Sequence, residues 1–392
     1  MKGISWGIEI SKNCIRICGF DVYSKKIVFY RAYHTPYVFY QNYIKDFYGL
    51  LEFLERVFME IERENDFQIK ELTCCLNTKL LNVKNSSFSY ALTEGREKII
   101  TSKDIEYLIR QALLLGTGWQ EKVIYKSPQY FYIDGVQNVK SPLGMWARTL
   151  GVDMLILSVP YTFYENIKKL FEYLGKQLIS LLVSGYTSYI GSQIEDKDFL
   201  FIDIGEEITD IMIFKEGSII YFDNLEFGSM CFDECISKDL KISLDLAKNI
   251  RKDFLDLDYP EEEIIVKSQH SYAVFSSRAI IDTVRLKIDE FVDKIEKKIS
   301  KFNLSKEVNW YVSGEVISIG GFIKQLSFLF NREIKTPSLK FAIEKRFSSD
   351  SRIFPSLGCC LWNISNYKPA SLFTKKIVSF LNFLKDLYRD YF

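Results

Sequence analysis

The chain has 392 residues, too many for one ordinary hydrophobic core, so two or more lobes are expected. Hydrophobic residues at 47% and charged residues at 26% suit a soluble globular protein, and 51 basic against 51 acidic residues leave no net field to draw nucleic acid. Eight cysteines without CxxC spacing, beside only two histidines, His34 and His270, argue against a zinc site or a Cys–His catalytic pair.

The cysteines read instead as buried small hydrophobes in a reducing compartment. The opening stretch MKGISWGIEI lacks the apolar core of a signal peptide, and no uncharged run approaches a membrane span, so a cytoplasmic protein is expected. Ile4–Gly19 and Lys26–Ala32 are rich in strand formers. Asp46–Asn65 is an amphipathic helix with Leu50, Leu51, Leu54, Val57, Phe58 and Ile61 on one face, and Glu71–Leu76 is a strand. Near Asn82 a different texture begins. Thr101 or Ser102 caps a helix over Asp104–Leu115, then come Lys122–Tyr132, a turn at Asp134–Gly135, the stretch SPLGMW (141–146), a β-run at Val152–Val159 and a helix over Phe163–Leu174. Phe199–Phe214 reads as two strands joined by a hairpin, continued by Ile219–Phe222. Asp233–Asp253 and the highly charged Ser276–Phe302 read as helices. Trp310–Ser313 is a strand ending at Gly314, and a helix starts within Gly320–Phe330.

The hairpin IDIGEEITDI (202–211) has the form of a phosphate cradle. A tight strand–turn–strand offers successive backbone N–H groups to phosphate oxygens, and glycine lets backbone and phosphate approach. A carboxylate such as Asp203 can hold Mg²⁺ through water. Glu206 and Glu207 contradict that design. Two unit charges ~4 Å apart repel by about 4 kcal/mol at an effective dielectric of ~20, so glutamates facing phosphate would cost much of a micromolar affinity. Glutamates turned outward would leave the cradle usable.

Five stretches in this order resemble the bacterial cell-division family FtsA of the actin-like ATPase superfamily. GIEIS (7–11) stands at the first phosphate hairpin. ITSKDIEYLIRQAL (100–113) with YFYIDGVQNVKSPLGMWARTLGVDMLIL (130–157) resembles the subdomain that FtsA inserts. IDIGEEITDIMIFKEGSIIYFDNLEFGSMCFDECI (202–236) resembles the second hairpin and its continuation, AKNIRKDF (247–254) the base-side helix, and YVSGEVISIGGF (311–322) the adenosine-binding turn. The resemblance implies an α/β, ribonuclease H-like, two-lobed actin-like fold. It divides the chain into a first subdomain (1–82 and 164–197), the FtsA-type insertion (83–163), a second subdomain (198–230 and 306–364), a mostly helical one (231–305), a short linker (365–371) and a terminal helix (372–392).

By resemblance, the nucleotide site comprises Glu9, Ser11, Lys12, Asp203, Gly205, Glu206, Glu207, Thr209, Gly228, Lys248, Arg251, Gly314 and Glu315, with Asp203 holding Mg²⁺ if ATP binds. Many of these depart from the family pattern. Glu9 replaces an aspartate, Ser11 and Lys12 a Gly-Thr pair, Lys248 a glutamate, Arg251 a lysine, and Glu315 a glycine. Weakened or lost ATP binding is therefore expected, leaving ATP with Mg²⁺, or no nucleotide at all, as the cofactor. The implied function is a self-associating divisome adaptor that tethers a tubulin-like division GTPase to the inner face of the membrane. The alternatives are a working ATPase whose assembly Mg-ATP controls, and a PilM-like pilus-assembly platform, against which SPLGM and the terminal helix both count.

FTKKIVSFLNFLKDLYRDYF (373–392) closes the chain. At ~100° per residue, Ile377, Phe380, Leu381, Leu384, Leu387, Tyr388, Tyr391 and Phe392 share one face, and Lys376 and Lys385 border it where their stems can reach a headgroup layer. Such a helix would lie in the membrane interface. The same pattern also suits a terminal helix docked on its own lobe.

Overall fold

Long runs of Ile, Val, Phe and Cys make the first strands buried on both faces, as in a sheet covered by helices. Ile4–Ile10, Cys14–Asp21 and Lys26–His34 form an antiparallel meander, and Glu71–Leu76 and Gln177–Val183 extend it in parallel beyond Ile4–Ile10. The structure, a computed structural model, describes residues 3–366 except 13, 36–38, 41–42, 66–67, 259–262, 268–271, 346, 348–349 and 351. Helix α1 (Phe47–Asn65) buries Leu50, Leu54, Val57, Phe58 and Ile61 against this sheet, as its periodicity predicts.

A separate small core follows. Asn82–Ala91, Thr149–Pro160, Glu121–Ile133 and Val136–Val139 pair antiparallel into a sheet. Across it lies α2 (Ser102–Gly116), packing Ile105, Leu108, Ile109 and Ala112 onto Leu150, Val152, Met154 and Ile156. The start of α2 is fixed by a capping box: Thr101 accepts from the Asp104 backbone N–H, and the Asp104 carboxylate accepts from that of Thr101. Helix α3 (Tyr161–Tyr173) then returns the chain to the first core through Phe163, Ile167, Leu170 and Phe171, and α4 (Ser184–Ser192) follows the strand Gln177–Val183.

The second large sheet repeats the plan of the first. Phe199–Ile204, Thr209–Lys215 and Ser218–Leu225 form a meander, and Asn309–Gly314 and Ile334–Lys335 add in parallel beyond its first strand. Its covering helices are α5 (Ser229–Leu240), α6 (Leu244–Asp253), α7 (Ser277–Ile299) and α8 (Phe322–Leu329). Asp233–Asp253, expected as one helix, is two. Lys241 adopts a left-handed φ of 53° that ends α5, and the Ser243 hydroxyl accepts from Leu246 N–H to start α6. Charged α7 buries Ile280, Ile281, Val284, Ile288, Phe291, Val292, Ile295 and Ile299.

Helix α9 (Ile353–Asn366) packs on the first sheet and crosses α4 at backbone contact. A Cβ on Gly358 would sit 1.8 Å from the Thr187 carbonyl oxygen, so only glycine permits this crossing. All eight cysteines are free thiols, six of them buried, as the sequence suggests. Among the described residues no helix is long and apolar enough to cross a membrane. The terminal amphipathic segment, 372–392, lies outside the described residues.

Candidate functional site

The turns of the two hairpins meet. Lys12, just after the strand Ile4–Ile10, donates to Glu207 Oε1 at 2.8 Å, and Lys248 of α6 donates to Glu206 Oε1 at 3.3 Å. Both glutamates are thus largely buried and counter-charged by lysines. Lys12, after the first strand, holds the second hairpin through Glu207.

Beneath this rim lie Glu9 and Asp203, both fully buried, one from each large sheet. Between them runs the side chain of Arg352, at the start of α9. Its Nη1 donates to Asp203 Oδ1 and Oδ2 at 2.9 and 3.0 Å. Its Nη2 and Nε donate to Glu9 Oε1 at 2.7 and 3.1 Å, and Nη2 also reaches Ser184 Oγ at 2.9 Å. The planar guanidinium suits this forked contact, which an ammonium could not make. Burial lowers the Arg352 pKa, but Asp203 and Glu9 outweigh it and the net shift is upward, so it stays charged. Glu9 also accepts from Ser184 Oγ at 3.0 Å and from Arg16 Nη1 at 3.4 Å, while Asp203 accepts from Ser188 at 2.9 Å and Ser313 at 2.5 Å.

A third carboxyl, Asp210, pairs opposite Asp203 in the antiparallel register and is 2% exposed. Its Oδ2 accepts from Gly185 N–H, at the N-terminus of α4, at 2.9 Å. Burial, and then the charge of Asp203, push its pKa up to about 7. Farther along, Arg251 forks onto Asp233, and Glu315 accepts from Lys252 at 2.6 Å with Arg251 at 3.7 Å. Burial raises the Glu315 carboxyl, but Arg251 and Lys252 prevail and bring it to about 2.

The remaining expected residues serve the backbone. Ser11 Oγ donates to the Cys14 carbonyl at 2.9 Å, Thr209 Oγ1 to the Phe227 carbonyl at 2.6 Å, and Gly205 N–H to the Ile208 carbonyl at 2.9 Å. Gly228 caps α5. Gly314, at φ 123°, lies so close to Ile204 that a Cβ would meet its carbonyl oxygen at 2.1 Å.

A nucleotide with its Mg²⁺ does not fit these residues as they stand. Asp203, the carboxylate that would hold the ion through water, is occupied by Arg352, and Glu9 is balanced by Arg352 and Arg16. Among Arg16, His34, Lys248, Glu315 and Arg352 only about 10 Å³ of cavity remains, room for about one water.

Sequence reading missed Arg352, Arg16 and the serines Ser184, Ser188 and Ser313. Two signals were available. CIRIC (14–18) places an arginine within an otherwise apolar strand, and RIFPSLGCCLW (352–362) sets one before an apolar helix. Cations are disfavoured at both places unless carboxylates meet them.

Residues 80–158 match the family model of the SHS2 domain inserted in FtsA. The chain is 24% identical over 304 residues to cell division protein FtsA of Enterococcus hirae, covering 74% of this chain and 68% of that protein. To FtsA of Streptococcus pneumoniae it is 22% identical over 276 residues, covering 67% of this chain and 58% of that one. The match thus spans somewhat under to about two thirds of these relatives' length. Among solved structures, the PilM–PilN type IV pilus biogenesis complex superposes with a TM-score of 0.68 at 15% identity, covering 92% of this chain and 98% of that one. MreB5 of Spiroplasma citri bound to ADP superposes with a TM-score of 0.50 at 12% identity, covering 98% and 99%. At these identities the structural likeness shows the fold alone, which is actin-like.

Proposed function

We propose that this chain, an FtsA-like protein of the actin-like superfamily, serves in cell division as a membrane adaptor whose working state does not depend on ATP. The division role is supported by the FtsA-type insertion within an actin-like body and by the relatives' shared identity as cell division proteins. The observation that carries the nucleotide half is the cleft, where Glu206, Glu207, Glu9 and Asp203 each meet a cation of the same chain. The solved structure of MreB5 with bound ADP shares the fold; in this chain the cleft carboxylates are matched by cations of the same chain.

The adaptor self-associates into actin-like filaments on the cytoplasmic face of the inner membrane. There it tethers a tubulin-like division GTPase among other divisome proteins. Membrane contact is made by the terminal segment, with Ile377, Phe380, Leu381, Leu384, Leu387, Tyr388 and Phe392 toward the lipid and Lys376 and Lys385 toward the headgroups. Burying several large apolar side chains there would supply on the order of 10 kcal/mol gross, and display along a filament multiplies it.

Co-sedimentation with vesicles containing anionic phospholipid tests the tether. Without nucleotide, the full chain is expected to pellet, and the chain lacking residues 372–392 is expected to stay in solution. Full retention on vesicles after that deletion would overturn the tether.

A further inference from the structure

We propose that Arg352 is the resident cation of the cleft, tying the two large sheets together where a metal–nucleotide pair would otherwise do so. This deepens, and rests on, the nucleotide-independent reading above. Three observations support it. Arg352 belongs to the side of the fold that packs on the first sheet, yet its Nη1 forks onto Asp203 of the second at 2.9 and 3.0 Å. All three guanidinium nitrogens have acceptors, drawn from Glu9, Asp203 and Ser184. Every one of those partners is fully buried, as is Arg352 at 3% exposed, so the bridge is shielded from salt and water.

The placement of α9 makes the bridge rigid. Its backbone touches that of α4 at Gly358, and α4 begins at Ser184, which donates to Glu9 and accepts from Arg352. Ser184 at the start of α4 and Arg352 at the start of α9 therefore bring their side chains to the same buried carboxylate, that of Glu9, while the first backbone N–H of α4, from Gly185, goes to Asp210. Asp203 is further held by Ser188 of α4 and by Ser313 of the neighbouring parallel strand. The cleft is a closed shell in which each lobe contributes a carboxylate and the guanidinium satisfies both. Closure of the lobes then follows from the polypeptide alone.

Removing the side chain would leave two buried carboxylates facing a guanidinium-sized space, which a free guanidinium ion can enter. The test is thermal unfolding of the full chain and of Arg352→Ala, each with tens of millimolar guanidinium chloride or the same concentration of sodium chloride. Arg352→Ala is expected to unfold on the order of 5–10 °C below the wild type in sodium chloride. Guanidinium should restore about half of that loss while leaving the wild type unchanged or slightly less stable. Should Arg352→Ala fail to fold, Arg352→Lys keeps a charge but loses the fork. It is expected to melt below the wild type and to expose the strands Ile4–Ile10 and Phe199–Ile204 to faster amide exchange. An unshifted melting temperature for Arg352→Ala, rescue no greater with guanidinium than with sodium chloride, or Arg352→Lys indistinguishable from wild type would overturn the lock. Micromolar Mg-ATP binding by the wild type would instead overturn the nucleotide-independent reading beneath it.

Discussion

Asp210 offers a measurable pH signature of the cleft. Its carboxyl is 2% exposed, faces Asp203, and has a folded pKa raised from 3.8 to about 7 by burial and then by that neighbour. Because the folded value lies above the unfolded one, the folded chain keeps a proton that the unfolded chain releases as pH rises from about 4 to about 7. The associated stability is complete below the unfolded pKa and is lost as pH climbs through the folded one. Three pH units at about 1.4 kcal/mol each bound the loss at about 4 kcal/mol. Asp210→Asn carries a neutral amide at every pH; its oxygen can keep the bond from Gly185 N–H and its NH₂ can donate toward Asp203. The free-energy gap between Asp210→Asn and wild type should therefore widen in the variant's favour by about 2–3 kcal/mol from pH 5 to pH 8. Urea denaturation followed by tryptophan fluorescence at the two pH values measures it. A gap that is constant across this range would refute the burial-and-repulsion argument.

Glu315 should behave with the opposite sign. Its folded pKa of about 2 lies below the ordinary 4.5, so its stability is present above pH 4.5 and lost as pH falls toward 2; wild type should lose about 2–3 kcal/mol over that span relative to Glu315→Gln in urea melts. Gly358→Ala should cost at least about 2 kcal/mol because the new Cβ forces α4 and α9 apart, whereas Gly118→Ala, whose Cβ would meet nothing nearer than 3.5 Å, should stay within about 0.5 kcal/mol; paired denaturation curves decide this. Glu206→Gly combined with Glu207→Gly frees Lys248 and Lys12 for phosphate, and a gain of roughly tenfold in ATP affinity is expected by calorimetry. No gain would mean that the glutamates do not oppose phosphate.

What the sequence could and could not reveal divides along contact distance. Local patterns are legible: the capping box at Thr101 and Asp104 starts α2, the apolar face of α1 is the buried one, and IDIGEEITDI folds as the hairpin it resembles. The break at Lys241 was hidden because apolar spacing continues from α5 into α6, and only Ser243 marks the new start. The ion-pair network was hidden for a different reason. Arg352 meets Glu9 across 343 positions and Asp203 across 149, and no local propensity encodes such a pairing. The sequence places Glu206 and Glu207 at the tip of a phosphate-type hairpin, but not the lysines, Lys248 and Lys12, that pair with them. The two sheets share a five-strand order, to which the first adds Ala342–Ile343 at one edge, yet no sequence similarity between the halves is visible by eye, so the shared plan is carried by strand pairing across long separations rather than by local pattern.

The nucleotide-independent cleft is tested most directly by titrating the full chain with Mg-ATP in a calorimeter at neutral pH. With the hairpin glutamates paired to lysines, the buried carboxylates held by Arg352, and about 10 Å³ of cavity between them, no binding tighter than about millimolar is expected. Saturable micromolar binding would contradict it.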